Sequence, residues 1–144
     1  MTRKPTEATI QVWIRLMRAQ RLALSAVERA LKAEDMPPLA WYDVLLEVER
    51  AGDGIRPFEL ERAMLLEQYN LSRLIDRIEQ AGYVERRVCA EDGRGQLLVI
   101  TDAGLAVRRR MWPVYARAIE AAIGQKLDEE QAAALDGLLR RITF

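Results

Sequence analysis

Gln68, Tyr69, Asn70, Ser72, Arg73 and Arg77 bring hydrogen-bond donors, acceptors, one flat ring and two guanidinium groups into one short stretch of the chain. These residue types suit the reading of base edges. Arg pairs bidentately with guanine, Asn and Gln pair with adenine, and aromatic or methyl groups touch the thymine methyl. A helix starting near Glu67 would position them. Leu71, Leu74, Ile75 and Ile78 recur at i, i+3, i+4 and i+7, which makes one apolar stripe that must face a core. At about 100° per residue, Tyr69, Ser72, Arg73, Asp76, Arg77 and Gln80 then occupy the opposite arc, with Gln68 and Asn70 near the first turn. A polar face is also the ordinary solvated side of an amphipathic helix, so the helix alone does not decide between the two readings.

The residues that follow add a second device. Ala81-Gly82 is a helix C-cap signal, Tyr83 to Cys89 reads as a strand, and Gln96 to Ile100 reads as its aliphatic partner. Between them, Ala90 to Gly95 carries two glycines that permit a tight tip and push Arg94 into solvent. A helix preceding this unit would complete the order helix, helix, hairpin. That order is a winged helix-turn-helix, whose second helix enters the major groove while the hairpin tip reaches an adjacent minor groove.

The elements around this module follow from caps and periodicity. Thr6 caps a first helix whose stripe of Ile10, Trp13, Ile14, Met17, Leu24, Val27 and Leu31 runs to about Ala33, before Pro37-Pro38. A second row through Val12, Leu16, Ala19 and Ala23 makes that helix apolar on more than one side. A second helix from Leu39 carries Trp41, Val44, Leu45 and Val48 on one face and ends at Ala51-Gly52; Ile55 adds a short strand. Pro57 opens a third helix to Met64, with Phe58 and Leu60 or Ala63 as core contacts. After the hairpin, Thr101-Asp102 caps a fifth helix toward Ile123, which Pro113 is expected to kink. Asp128 and Gln131 form a capping box for a last helix with the stripe Leu135, Leu138, Leu139 and Ile142. The first and last helices carry more apolar surface than the module needs. They are expected to form a two-fold dimer interface, the alternative being that they fold back on their own module.

The whole chain bounds these readings. Its 144 residues, half of them apolar, suffice for one domain with a core. The fold class expected is mainly α (α+β): a winged helix-turn-helix with flanking N- and C-terminal dimerisation helices. Residues 6–34 and 102–144 would be the dimerisation helices and residues 39–101 the DNA-binding lobe of a single 1–144 unit. Lys plus Arg and Asp plus Glu balance at 22 each, so net charge gives no footprint for nucleic acid. The charge is uneven, however: Arg73, Arg77, Arg86, Arg87 and Arg94 crowd the reading segment, and Glu120, Asp128, Glu129, Glu130 and Asp136 lie toward the C-terminus. One cysteine allows no disulfide within the chain, and no apolar run approaches the roughly 18 residues of a membrane span. With no signal peptide read, a reducing cytoplasmic setting is expected. There is no His, no Gly-rich phosphate loop and no Cys/His metal spacing, which argues against an enzyme, a metal site or a cofactor.

In order and spacing, three segments resemble the MarR family of transcriptional regulators over essentially the full chain. Leu71 to Glu79 followed by Ala81-Gly82-Tyr83-Val84 is similar to the family's recognition helix and wing entry. Asp92-Gly93-Arg94 fits its D-x-R wing tip, and Ile100-Thr101 with Gly104 fits the exit into the fifth helix. The run Trp41-Tyr42-Asp43-Val44-Leu45 resembles the second helix of many members. The resemblance implies a cytoplasmic homodimer on double-stranded DNA at a roughly palindromic operator, commonly a repressor and often released by a small molecule. It would place Gln68, Tyr69, Asn70, Ser72 and Arg73 at bases or phosphates and Arg94 in the minor groove, with Arg77 beside them. Glu67 departs from the Ser or similar cap common at its position, and Asp76, an anion on the reading face, is expected to pair with Arg73 or Arg77.

Two further readings stand beside this one. A winged-helix module used for protein contacts, without specific DNA binding, would suit the neutral net charge and Asp76. Trp13, Met17, Trp41, Tyr42, Trp112 and Tyr115 could line an apolar pocket for a small aromatic ligand, as the resemblance suggests, or could be ordinary core aromatics. Cys89 has no partner cysteine and reads as an inert thiol, although Arg86 and Arg87 nearby would favour its thiolate.

Overall fold

The computed structural model describes residues 2–88 and 95–143. The expected wing tip, Arg94 and Cys89 lie outside the described residues. The element order is α1 (Glu7–Ala33), α2 (Leu39–Ala51), α3 (Pro57–Ala63), α4 (Leu71–Gln80), β1 (Val84–Val88), β2 (Gln96–Ile100), α5 (Asp102–Ile119) and α6 (Glu129–Arg140). This is the mainly helical winged helix-turn-helix that the sequence predicts. No described helix is long and apolar enough to cross a membrane.

The boundaries follow local chemistry. The Thr6 hydroxyl accepts from the Thr9 amide at 3.1 Å and so starts α1. Asp128 and Gln131 close their capping box in both directions, at 2.8 and 3.1 Å. Gly52 and Gly82 follow α2 and α4 at positive φ, 67° and 84°, which a side chain would resist. The fifth helix does not break at Pro113; it runs on to Ile119 and finishes in one π-helical turn, Glu120–Gly124.

The chain forms two compact units, one of residues Leu31–Val114 and one of Met1–Ala30 with Tyr115–Phe144. In the first, Leu39, Val44, Leu45 and Val48 of α2 are buried, as are Leu60 of α3, Leu74, Ile75 and Ile78 of α4, Val84 and Leu98 of the strands, and Val107 and Met111 of α5. Phe58 is not among them. It is 56% exposed, and the Arg62 guanidinium lies 5.9 Å from its ring, so the single turn of sequence that could have turned it inward gives that place to Leu60. The strands pair antiparallel with Val84 opposite Ile100 and Arg86 opposite Leu98. Ile55 extends the pairing through two backbone bonds to Leu98, 3.1 and 2.9 Å, which ties the turn after α2 to the wing.

The other unit is far less buried. Among its described residues only Val27 and Ala118 are buried apolar side chains, while Trp13 is 64% exposed, Leu22 65%, Leu138 61% and Ile142 61%. The apolar stripes read from the sequence are present on α1 and α6, and although Val27 and Leu31 are buried, Ile10, Trp13 and Met17 of α1 and Leu135, Leu138 and Ile142 near the C-terminus lack cover within one chain.

Candidate nucleic-acid interface

The reading segment begins one turn later than its sequence suggests. Helix α4 starts at Leu71, and the Asn70 side-chain oxygen accepts from the Arg73 amide at 3.1 Å, so Asn70 and not Glu67 is the cap. The physical reason is that a short side-chain carbonyl satisfies an orphan N–H at the helix start better than the longer Glu does. Gln68, Tyr69 and Asn70 therefore occupy the turn that enters α4, and Ser72, Arg73 and Arg77 lie on its exposed arc. The Tyr69 ring is wholly exposed. Arg73 and Arg77 have no carboxylate partner among the described residues, which leaves both guanidinium groups available to an incoming anion.

Two buried or half-buried polar anchors hold this surface in place, and neither was legible as such. Asp43 of α2, only 6% exposed, accepts from the amides of Leu65 and Leu66 at 3.1 and 2.7 Å. Those two amides belong to the turn between α3 and α4, so a carboxylate on the core side fixes the angle at which α4 leaves it. The sequence signal was a lone acid in the apolar run Trp41 to Leu46. On the other side of α4, Asp76 pairs with Arg86 of β1 at 2.5 Å, not with Arg73 or Arg77. Intrahelical neighbours at i−3 and i+1 lose to a strand residue whose guanidinium also reaches Glu79 at 3.2 Å. The anion that counted against DNA on the reading face is thereby neutralised from within.

The wing is anchored at its exit as well. The Thr101 hydroxyl donates to the Gly82 carbonyl at 2.6 Å and accepts from the Gly104 amide at 3.0 Å, while the Thr101 amide donates to the Tyr83 carbonyl at 3.1 Å. The start of the wing and the start of α5 are thus locked to one residue.

The six aromatic and Met residues considered for a ligand pocket are distributed over both units. Tyr42 and Trp112 stack, with centroids 6.2 Å apart and planes at 22°, and the Arg108 guanidinium, ion-paired with Glu49, lies 6.0 Å from the Tyr42 ring. Trp41 instead meets Tyr83 edge-on at 6.0 Å. Trp13, Met17 and Tyr115 belong to the unit of the terminal helices.

Comparison with known proteins gives the same family. Residues 34–95 match the model of the MarR family. The DNA complex of a MarR-family transcriptional regulator from Streptomyces coelicolor superposes with a TM-score of 0.86 at 28% identity, covering 99% of this chain and 89% of that one. A second MarR-family regulator from the same organism gives 0.83 at 27% identity, with 98% and 95% covered. An HTH-type transcriptional regulator of Bacillus cereus is 26% identical over 131 residues, 91% of this chain and 86% of its own. With the recognition helix, the wing strands and the flanking helices in the family's order, the chain is similar to MarR-family transcriptional regulators over nearly its whole length.

Proposed function

We propose that this protein is a homodimeric repressor that reads a roughly palindromic operator in double-stranded DNA and is released by a small aromatic ligand. One observation carries the DNA reading. The exposed arc at the start of α4 offers Tyr69, Ser72, Arg73 and Arg77 to solvent while the two acids on the helix itself, Asp76 and Glu79, are occupied by Arg86. A local cationic, hydrogen-bonding surface on a helix of this length fits a major groove even though the chain as a whole is neutral. Gln68 and Asn70 flank that arc. Arg94 enters the reading through the sequence alone. The structural relative in complex with DNA supports the same use of the fold.

Homodimerisation is supported by the uncovered side chains of α1 and α6. Full burial of a side chain such as Leu138 or Ile142 is worth about 1.5–3 kcal/mol, so a second copy gains much by covering several. Release by an aromatic ligand is supported by the stacked pair Tyr42 and Trp112, whose outer ring keeps 47% of its surface exposed.

Selection of bound fragments from a random-duplex pool, with and without phenolic ligands, tests all three parts. A single enriched motif with two-fold symmetry is expected, and its enrichment should fall when ligand is added. Arg73→Ala should cost about 1–3 kcal/mol on the selected duplex and relax preference at one base pair in each half-site. Failure to enrich any motif at low salt would remove the DNA reading.

A further inference from the structure

Arg86 is the one arginine of the reading segment whose guanidinium is turned inward among the described residues. Its Nη2 donates to Asp76 Oδ1 at 2.5 Å, its Nε to Glu79 Oε1 at 3.2 Å, and its Nη1 to Gln96 Oε1 at 3.4 Å. The first two acceptors lie one turn apart on α4 and the third lies on β2, while Arg86 itself belongs to β1. A single planar group therefore joins the recognition helix to both strands of the wing. Its side chain is 26% exposed, against 58% for Asp76 and 39% for Glu79, so the pairing sits partly out of water, where charge-assisted bonds hold their geometry.

We propose that Arg86 is a positioning residue for DNA reading: it fixes the spacing between recognition helix and wing, and so sets sequence selectivity, without itself contacting DNA. The inference rests on the DNA reading above. Two physical consequences support it. Arg alone among the cations offers a rigid fork with five donors, which lets it serve three acceptors on two elements at once, whereas Lys would serve one or two at a time in a mobile arrangement. The second consequence is electrostatic. Asp76 lies on the arc that would face the groove, and an unpaired carboxylate there would oppose the phosphates, so the same bonds that align α4 also mask its acids.

The test uses the full chain and two probes: a duplex selected from a random pool by the wild-type protein, and a scrambled duplex of equal length. Arg86→Lys keeps the charge and loses the fork. The expected result is a fall of about tenfold in the ratio of selected to scrambled affinity, the worth of one misaligned base contact, with the salt slope and thermal midpoint close to wild type. The double variant Asp76→Asn with Glu79→Gln approaches the same connection from the helix side. It should bind scrambled duplex at least as well as wild type yet lose selectivity by a similar factor. An unchanged affinity ratio in Arg86→Lys overturns the proposal. So does an Arg86→Ala protein that weakens equally on both duplexes with a salt slope shallower by about one, because that is the mark of a phosphate contact. A wild-type chain that selects no duplex would remove the DNA reading itself, a different outcome from retained selectivity in the variants.

Discussion

The α-carbon of Gly104, in the first turn of α5, rests against the carbonyl oxygen of Tyr83, the residue that leads into β1. A methyl group at Gly104 would overlap that oxygen and approach Cγ1 of Ile100 to 2.9 Å. Close approach of backbone to backbone is what allows Thr101 to reach Gly82, Tyr83 and Gly104 together. The spacing Ile100-Thr101-x-x-Gly104 is thus a packing requirement.

Gly104→Ala is accordingly expected to destabilise the protein, although Ala favours a helix interior by about 1 kcal/mol over Gly. Overpacking against a main-chain carbonyl costs about 1–3 kcal/mol or more, because backbone cannot step aside as a side chain can. The urea midpoint should fall with little change in slope, measured at one fixed protein concentration. A midpoint equal to or above that of the wild type would show that the α5 start has room.

Asp43 provides a second structural test. Asp43→Ala leaves the amides of Leu65 and Leu66 without their acceptor, at about 1–3 kcal/mol. Asp43→Asn keeps one acceptor oxygen and should fall between Ala and wild type. Amide hydrogen exchange at Leu65 and Leu66 should accelerate in the Ala variant ahead of exchange in the α2 core. Unaltered protection at both amides would mean that the turn holds itself.

Asn70 has two separable roles. Its oxygen caps α4, while in the proposed reading its amide nitrogen is offered to DNA. Asn70→Asp retains the cap and adds a favourable charge at a helix N-terminus, so stability should stay within about 0.5 kcal/mol of wild type. DNA binding should nevertheless weaken, since donors are exchanged for an anion. Asn70→Ala should lose both, with about 1 kcal/mol of stability gone. If Asn70→Asp binds the selected duplex as wild type does, Asn70 is a cap and nothing more.

The dimer reading is tested by removing residues 128–144. Loss of the α6 stripe should give monomers or aggregates in sedimentation, with the exposed apolar face of α1 left to find other cover. A truncated chain that sediments as a well-folded dimer would place the interface elsewhere.

Most element boundaries were legible because caps are local chemistry. Thr6, Pro57, Gly82 and the Asp128–Gln131 box each act within four residues of the boundary they set, and each is found where the sequence puts it. The start of α4 differs from the expected Glu67, because Asn70 stands directly before the apolar stripe at Leu71 and caps it. What the sequence could not show is pairing across distance. Asp43 reaches amides 22 and 23 residues away, and Asp76 finds Arg86 ten residues on, across the bend from helix to strand. Rules for i,i+4 neighbours have no access to such partners, because these depend on where β1 runs once Val84 and Leu98 are buried.

The edge-on contact between Trp41 and Tyr83 gives the wing an optical signal of its own. Tyr83 stands where the chain enters β1, and Trp41 is carried by α2, so any movement of the wing entry against that helix changes the surroundings of an indole. Trp13 is largely exposed and Trp112 is stacked on Tyr42, which gives the three indoles of the chain distinct environments. Replacing Trp13 and Trp112 by Phe would leave a single fluorophore whose emission follows the wing entry during DNA titration, with no label attached to the surface that binds.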